Sequence, residues 1–205
     1  MAARHAALVG PVPDDIATGA GGTTGAGAPP GQAPRSLRAV TTSGAFDDVL
    51  AANARFAETH RSSGLEARAA KGLAVLTCMD SRIDPLRMLG LGPGDAKILR
   101  NAGARVTDDV LRTLVLATYL LGVDRVMVVA HTRCRMAGGD ETGIHAAIAA
   151  AGGPDTRSLS FLTTDDQEAS LRSDVQRVRS WPYMPGITVG GFVYDLDSGR
   201  VRHVC

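Results

Sequence analysis

The chain has 205 residues, 44% hydrophobic and 21% charged, with a formal net charge of +1. That length suits one domain with a tail and is enough to bury a sizeable core. Near-zero charge removes the electrostatic case for nucleic acid or an anionic membrane as partner. No apolar stretch approaches the roughly 20 residues needed to span a bilayer; Arg112, Thr113, Thr118 and Tyr119 interrupt the longest one. Residues 6–9 are too short an apolar run for a secretory signal, and Asp14 and Asp15 argue against a transit peptide, so the expected location is the cytoplasm. Three cysteines are too few, and of the wrong parity, for a disulfide framework.

Residues 1–36 stand apart. The run 19–31 consists of Gly, Ala, Thr and Pro, with no periodicity and no large apolar group. Such a composition cannot offset the entropy of ordering. We read 1–36 as a disordered extension and 37–205 as the folded domain. Ser43 is placed to cap a helix that carries Phe46, Val49, Leu50 and Phe56 at helical spacing; that stripe requires an apolar cover. Residues 72–77 form a continuous apolar run that suits a buried strand. Asp84-Pro85 marks a helix start, with proline at the first helical position. Residues 96–99 make a second short strand. Thr107 caps a helix to Leu121, with Asp108 and Asp109 favoured in its first turn and Gly122 stopping it.

Residues 125–130 (Arg-Val-Met-Val-Val-Ala) are the clearest buried strand. An Ala-rich helix follows over 140–151, halted by Gly152-Gly153-Pro154. Thr164 and Gln167 form a capping box ahead of the stripe Leu171, Val175 and Val178, and Trp181-Pro182 closes that helix. Residues 187–194 and 200–204 flank the turn 195–199, which predicts a hairpin. The alternation predicts an α/β fold: a mostly parallel central sheet with flanking helices on both faces, plus a C-terminal antiparallel edge hairpin.

Two strands run into unusual polar groups. The first leads into Cys78-Met79-Asp80-Ser81-Arg82, and the third into His131-Thr132-Arg133-Cys134. In open parallel sheets the working face lies at the carboxyl ends of the strands, near the switch in strand order. If these two strands are neighbours, Cys78, His131 and Cys134 meet around one point. Two thiolates and an imidazole suit Zn²⁺, and three protein ligands leave one position open, the pattern of a catalytic zinc. Asp80 is the competing fourth ligand. Arg82, two residues on, lies on the same side of an extended backbone, and its fork on Asp80 would keep that carboxylate ionised and off the metal.

These motifs, together with Arg100-Asn101-Ala102-Gly103, Thr118-Tyr119-Leu120-Leu121-Gly122 and the Gly191-Phe192-Val193-Tyr194-Asp195 hairpin, resemble the β-class carbonic anhydrases, and most closely their smaller prokaryotic subgroup. The resemblance runs from about Phe46 to the C-terminus. It implies zinc ligands at Cys78, His131 and Cys134 and an Asp–Arg dyad at Asp80 and Arg82. The implied reaction is reversible hydration of carbon dioxide to bicarbonate, in a homodimer or higher homo-oligomer whose N-terminal helix near Phe46 packs on another subunit. The chain departs from the family pattern at Arg133 and Arg135, where relatives commonly carry Asp and Gly. Two readings compete: hydrolysis of carbonyl sulfide or carbon disulfide on the same site, and a non-catalytic zinc protein with Asp80 closing the fourth position.

Other candidates read as structural. Cys205 reads as a free surface thiol, His203 as packing on an edge strand, His60 as a cation at a helix end, and His145 as a helix-surface residue. Gly138-Gly139 and residues 90–94 lack the lysine and spacing of a phosphate loop and read as turns.

Overall fold

The apolar runs become strands and the periodic segments become helices. In a computed structural model, which describes residues 44–61 and 64–205, the elements are helix α1 (Asp47–Thr59), strand β1 (Leu73–Cys78), helix α2 (Pro85–Met88), strand β2 (Ala96–Asn101), helix α3 (Asp108–Leu120), strand β3 (Arg125–His131), helix α4 (Glu141–Ala150), helix α5 (Gln167–Arg179), and strands β4 (Thr188–Tyr194) and β5 (Val201–His203). The extension expected over 1–36 and the cap expected at Ser43 lie outside the described residues.

The strands form one sheet in the order β2-β1-β3-β4-β5. β1 pairs in parallel with β2 and β3, and β3 with β4, while β5 runs antiparallel to β4. The chain leaves β1 for β2 on one side and then returns to β3 on the other. That reversal is the switch point, and it opens a crevice beyond the carboxyl ends of β1 and β3.

Side chains alternate across the sheet. Ala74, Leu76, Val126 and Val128 pack against Leu111 and Leu114 of α3 and Leu171, Val175 and Val178 of α5. On the opposite face, Leu73, Val75 and Val129 pack with sheet neighbours such as Ile98 and Phe192 and are covered by Met88, Leu89 and Leu91, from the short α2 and the turn after it. The predicted cover on both faces is therefore thick on one side and thin on the other. α1 buries none of its residues, and Phe46, Val49, Leu50 and Phe56 stay about 60% exposed. No helix among the described residues is long and apolar enough to cross a membrane.

Two local readings are corrected. Cys205 is a free thiol, as expected, but it does not lie at the surface. It is half-buried, its carbonyl accepts the Gly191 N–H at 2.7 Å, and its sulfur sits where a side chain at Gly191 would go, 2.7 Å from the position of a Cβ there. The absence of a Cβ lets the C-terminus and α5 close on the sheet. Thr164 is not the cap of α5 either. Asp166 is, accepting the Ala169 N–H at 2.9 Å, while Thr164 Oγ1 accepts the Asp166 N–H at 3.1 Å one step earlier. Asp166 sits three residues before the Ala169 amide, so its carboxylate takes the N3 N–H and the cap shifts by two residues. Asp166→Ala should cost about 1 kcal/mol and lower the melting temperature by roughly 2–4 °C in a domain of this size, as a thermal scan would read. Thr164→Ala should cost less.

Candidate metal centre

The crevice at the switch point is lined by the ends of β1 and β3. Cys78 is the last residue of β1, aligned with Asn101 on β2. His131 is the last residue of β3, aligned with Tyr194 on β4. Cys134 follows after the short loop Thr132–Arg133. One ligand atom from each of Cys78, His131 and Cys134 lies within 4.8 Å of the other two, and all three residues are buried. A tetrahedral zinc with its usual bond lengths sets such atoms about 3.5–3.8 Å apart, so the cluster needs only a small contraction to close on an ion.

The imidazole is prepared for a metal. His131 Nδ1 lies 2.9 Å from the Thr132 carbonyl. A carbonyl only accepts, so Nδ1 carries the proton and Nε2 presents its lone pair. Among the described residues, that buried Nε2 meets no hydrogen-bond partner. A buried acceptor left unpaired costs free energy, and a divalent ion is the partner that would satisfy it here. The arrangement, a ligating ring nitrogen opposite an N–H held by a carbonyl, is the usual outer support of a metal-bound histidine.

The thiols are equally poised. Cys134 donates a hydrogen bond to Cys78, and this is the main cause holding Cys78 down to about 4 against the upward push of burial. The Gly103 N–H, 3.4 Å from Cys78 Sγ, adds to it. Gly103 has φ +78°, and a Cβ there would meet Met136 Cβ at 3.1 Å. The position therefore takes glycine, and its amide is free to face the sulfur. Cys134 is pushed up, because it keeps the shared proton and is itself buried. Soft sulfur donors beside an imidazole select zinc over hard cations. Two thiolates and a neutral ring cancel the charge of the ion.

Asp80 stands at the edge of this cluster, with Oδ2 3.8 Å from His131 Nε2. Arg82 grips it as a fork: Nε donates to Oδ1 at 2.9 Å, Nη2 to Oδ2 at 2.7 Å, and the Arg82 backbone N–H to Oδ1 at 2.9 Å. Those bonds, the Arg82 side chain first, hold the Asp80 carboxyl well below the ordinary carboxylate range. Asp80 is thus a permanent acceptor near neutral pH. The structure brings together all five residues singled out in the sequence.

It also shows supports that sequence reasoning missed. Arg100 donates from Nε to the Cys78 carbonyl at 3.0 Å and from Nη2 to the Asp80 carbonyl at 2.6 Å, fixing the turn between ligand and dyad. Asn101 accepts the Arg105 N–H at 2.8 Å and donates to the Arg105 carbonyl at 2.7 Å, closing the loop that aims Gly103. Gln167, displaced from its expected capping role, donates to the His131 carbonyl at 3.1 Å. Arg105 and Asp174 pair at 2.7 Å, largely buried, and tie that loop to α5. The Arg-Asn-Ala-Gly run carried the signal for the first two; nothing in the sequence pointed to Gln167.

A family model described as carbonic anhydrase matches residues 73–147. The β-carbonic anhydrase 1 of Mycobacterium tuberculosis is 35% identical over 169 residues, covering 77% of this chain and 96% of that protein. The chain belongs to the β-carbonic anhydrase family. Membership places it among enzymes, the carbonate dehydratases. A solved carbonic anhydrase from Streptococcus mutans shares the fold with a TM-score of 0.73 at 37% identity, over 78% of this chain and 97% of that one. A carbon disulfide hydrolase from Acidithiobacillus thiooxidans is 28% identical over 157 residues, covering 64% of this chain and 72% of its own length. The family model's match, residues 73–147, runs from β1 through the metal loop, the segment that carries Cys78, Asp80, Arg82, His131 and Cys134.

Proposed function

We propose that this chain catalyses reversible hydration of carbon dioxide to bicarbonate, with zinc held by Cys78, His131 and Cys134. The observation that carries the reading is the unpartnered, buried His131 Nε2 between two sulfurs, with the ionised Asp80 3.8 Å away and held back by Arg82. Three donors leave a fourth direction open, and Asp80 borders it. Zinc, when bound, supplies the Lewis acidity that makes a water nucleophilic near neutral pH. The protein does the rest. Asp80 accepts a hydrogen bond from the attacking water and aims its lone pair at the carbon. Its depressed pKa means that it orients the water and does not store the proton. Arg82 keeps the carboxylate in that pose. Stopped-flow measurement of carbon dioxide hydration above pH 8 tests the reading: zinc-replete protein should exceed the buffer rate by orders of magnitude. A rate equal to buffer would leave only a metal-binding module.

The second reading, hydrolysis of carbon disulfide or carbonyl sulfide, is supported by relatives of that name, one of them from Acidianus at 50% identity over 64 residues. The same preparation offered carbon disulfide would release sulfide under this reading and none under the first.

We further infer that the protein works as a homo-oligomer. The apolar stripe of α1 has no cover among the described residues, and exposed contiguous apolar surface of this kind marks an interface. A second copy is the occupant that the family implies. Light scattering at micromolar concentration should give at least twice the 21.3 kDa chain mass; a monomer mass would reject the assembly.

A further inference from the structure

The loop between the second and third ligands is tied to the β4–β5 hairpin. The Thr132 N–H donates to the Tyr194 carbonyl at 3.0 Å, and the Leu196 N–H donates to Thr132 Oγ1 at 3.0 Å. Arg133 Nη2 donates to Asp197 Oδ1 at 2.7 Å. Arg133 holds φ +55°, in the left-handed region, a conformation that a long side chain enters only when its surroundings enforce it. With that backbone, the Arg133 carbonyl lies 3.3 Å from Arg82 Nη2. The same nitrogen donates to Asp80 Oδ2 at 2.7 Å. One guanidinium thus spans the loop after β1 and the loop after β3.

What Arg82 restrains is a potential fourth ligand. Asp80 Oδ2 sits 3.8 Å from His131 Nε2, and carboxylates ligate zinc readily. A carboxylate released from the fork would be within reach of an ion bound at that nitrogen. We propose that the hairpin turn acts as a latch on the open site: Asp197 fixes Arg133, the Arg133 carbonyl anchors Arg82, and Arg82 keeps Asp80 off the metal. Asp197 and Arg133 are then positioning residues that set how much of the population has a free fourth position. This rests on the proposed metal centre but not on which reaction it runs.

The expected effect is modest, because the ion pair is exposed, 57% at Arg133 and 72% at Asp197. Such pairs contribute up to about 1 kcal/mol, which corresponds to a change of up to roughly fivefold in an equilibrium constant. The sign makes it measurable. By charge alone, Asp197→Asn removes a negative group near the site and should tighten anion binding. By the latch, it frees Asp80 to compete for the fourth position and should weaken it. The probe is thiocyanate titrated into the cobalt-substituted protein and read by visible absorption. Asp197→Asn should bind thiocyanate roughly three- to fivefold more weakly than wild type at low ionic strength. The difference should vanish in 1 M sodium sulfate, where screening extends to about 3 Å or less. The charge swap Arg133→Asp with Asp197→Arg should restore wild-type affinity, since Asp tolerates the left-handed backbone. Equal or tighter binding in Asp197→Asn overturns the latch, as does a loss that neither salt nor the swap removes. A wild-type protein that takes up no cobalt overturns the metal reading and the latch with it. A cobalt protein that shows the effect but hydrates no carbon dioxide leaves the latch standing and rejects only the reaction.

Discussion

Asp80→Asn should retain its metal and lose carbon dioxide hydration by roughly a hundredfold or more, the cost of misplacing a reacting group by about 1 Å. Asp80 is not among the three converging donors, so metal content by atomic emission should stay near one equivalent. What changes is the fork. Arg82 binds both carboxylate oxygens, at 2.9 and 2.7 Å. An asparagine offers one oxygen and turns an NH₂ toward the other guanidinium nitrogen, donor against donor. The side chain rotates or the arginine swings away, and the acceptor that aims the water is lost. The pairing also gives a pH sign. Because Arg82 holds the carboxyl down, the attraction persists from neutral pH through the ordinary carboxylate range. It fades only as pH falls below about 4, where the unfolded carboxyl takes its proton first. Wild-type rates in the variant would remove Asp80 from the reaction. Loss of metal together with rate would recast it as a ligand.

The architecture was legible because its signals are local. The apolar runs at 73–76 and 126–130 are short and rich in β-branched residues, which suits buried strands, and Asp84 and Thr107 cap α2 and α3 as their positions require, Asp84 accepting the Arg87 N–H at 3.1 Å. The convergence of Cys78, His131 and Cys134 was legible because His131 and Cys134 are close in sequence and both segments end a strand. What sequence could not supply was distance in three dimensions. The role of Gln167 depends on α5 starting at that residue, so that its amide reaches the His131 carbonyl; the capping-box pattern at Thr164 concealed it. Cys205 read as a surface residue because nothing in its local sequence announces that a bare Gly191 lies opposite. The stripe of α1 was read as needing cover, and the described residues leave it exposed.

Cys134→Ser should bind zinc more weakly by well over a hundredfold, since even residues that only support a ligand cost 10–100-fold when changed. The serine hydroxyl is nearly isosteric with the thiol but does not ionise near neutral pH, and zinc bonds deprotonated donors. Two protein ligands would remain, Cys78 and His131. The fold should survive. Cys134 sits in a loop whose geometry is set by backbone bonds, among them the Ala137 N–H donating to the Cys134 carbonyl at 3.0 Å, and its buried side chain would exchange one hydrogen-bonding group for another. Circular dichroism should therefore match wild type while metal analysis after dialysis falls far below one equivalent. Proton release gives a second readout. Cys134 is the thiol that keeps the shared proton, so wild-type protein must expel it when metal enters, and its zinc affinity should fall as pH falls. The serine variant has no such proton to give, and its weak residual binding should depend less steeply on pH. A variant that keeps a full equivalent of zinc and the wild-type pH slope would show that the ion is held elsewhere, and the chemistry assigned to Asp80 and Arg82 would lose its centre.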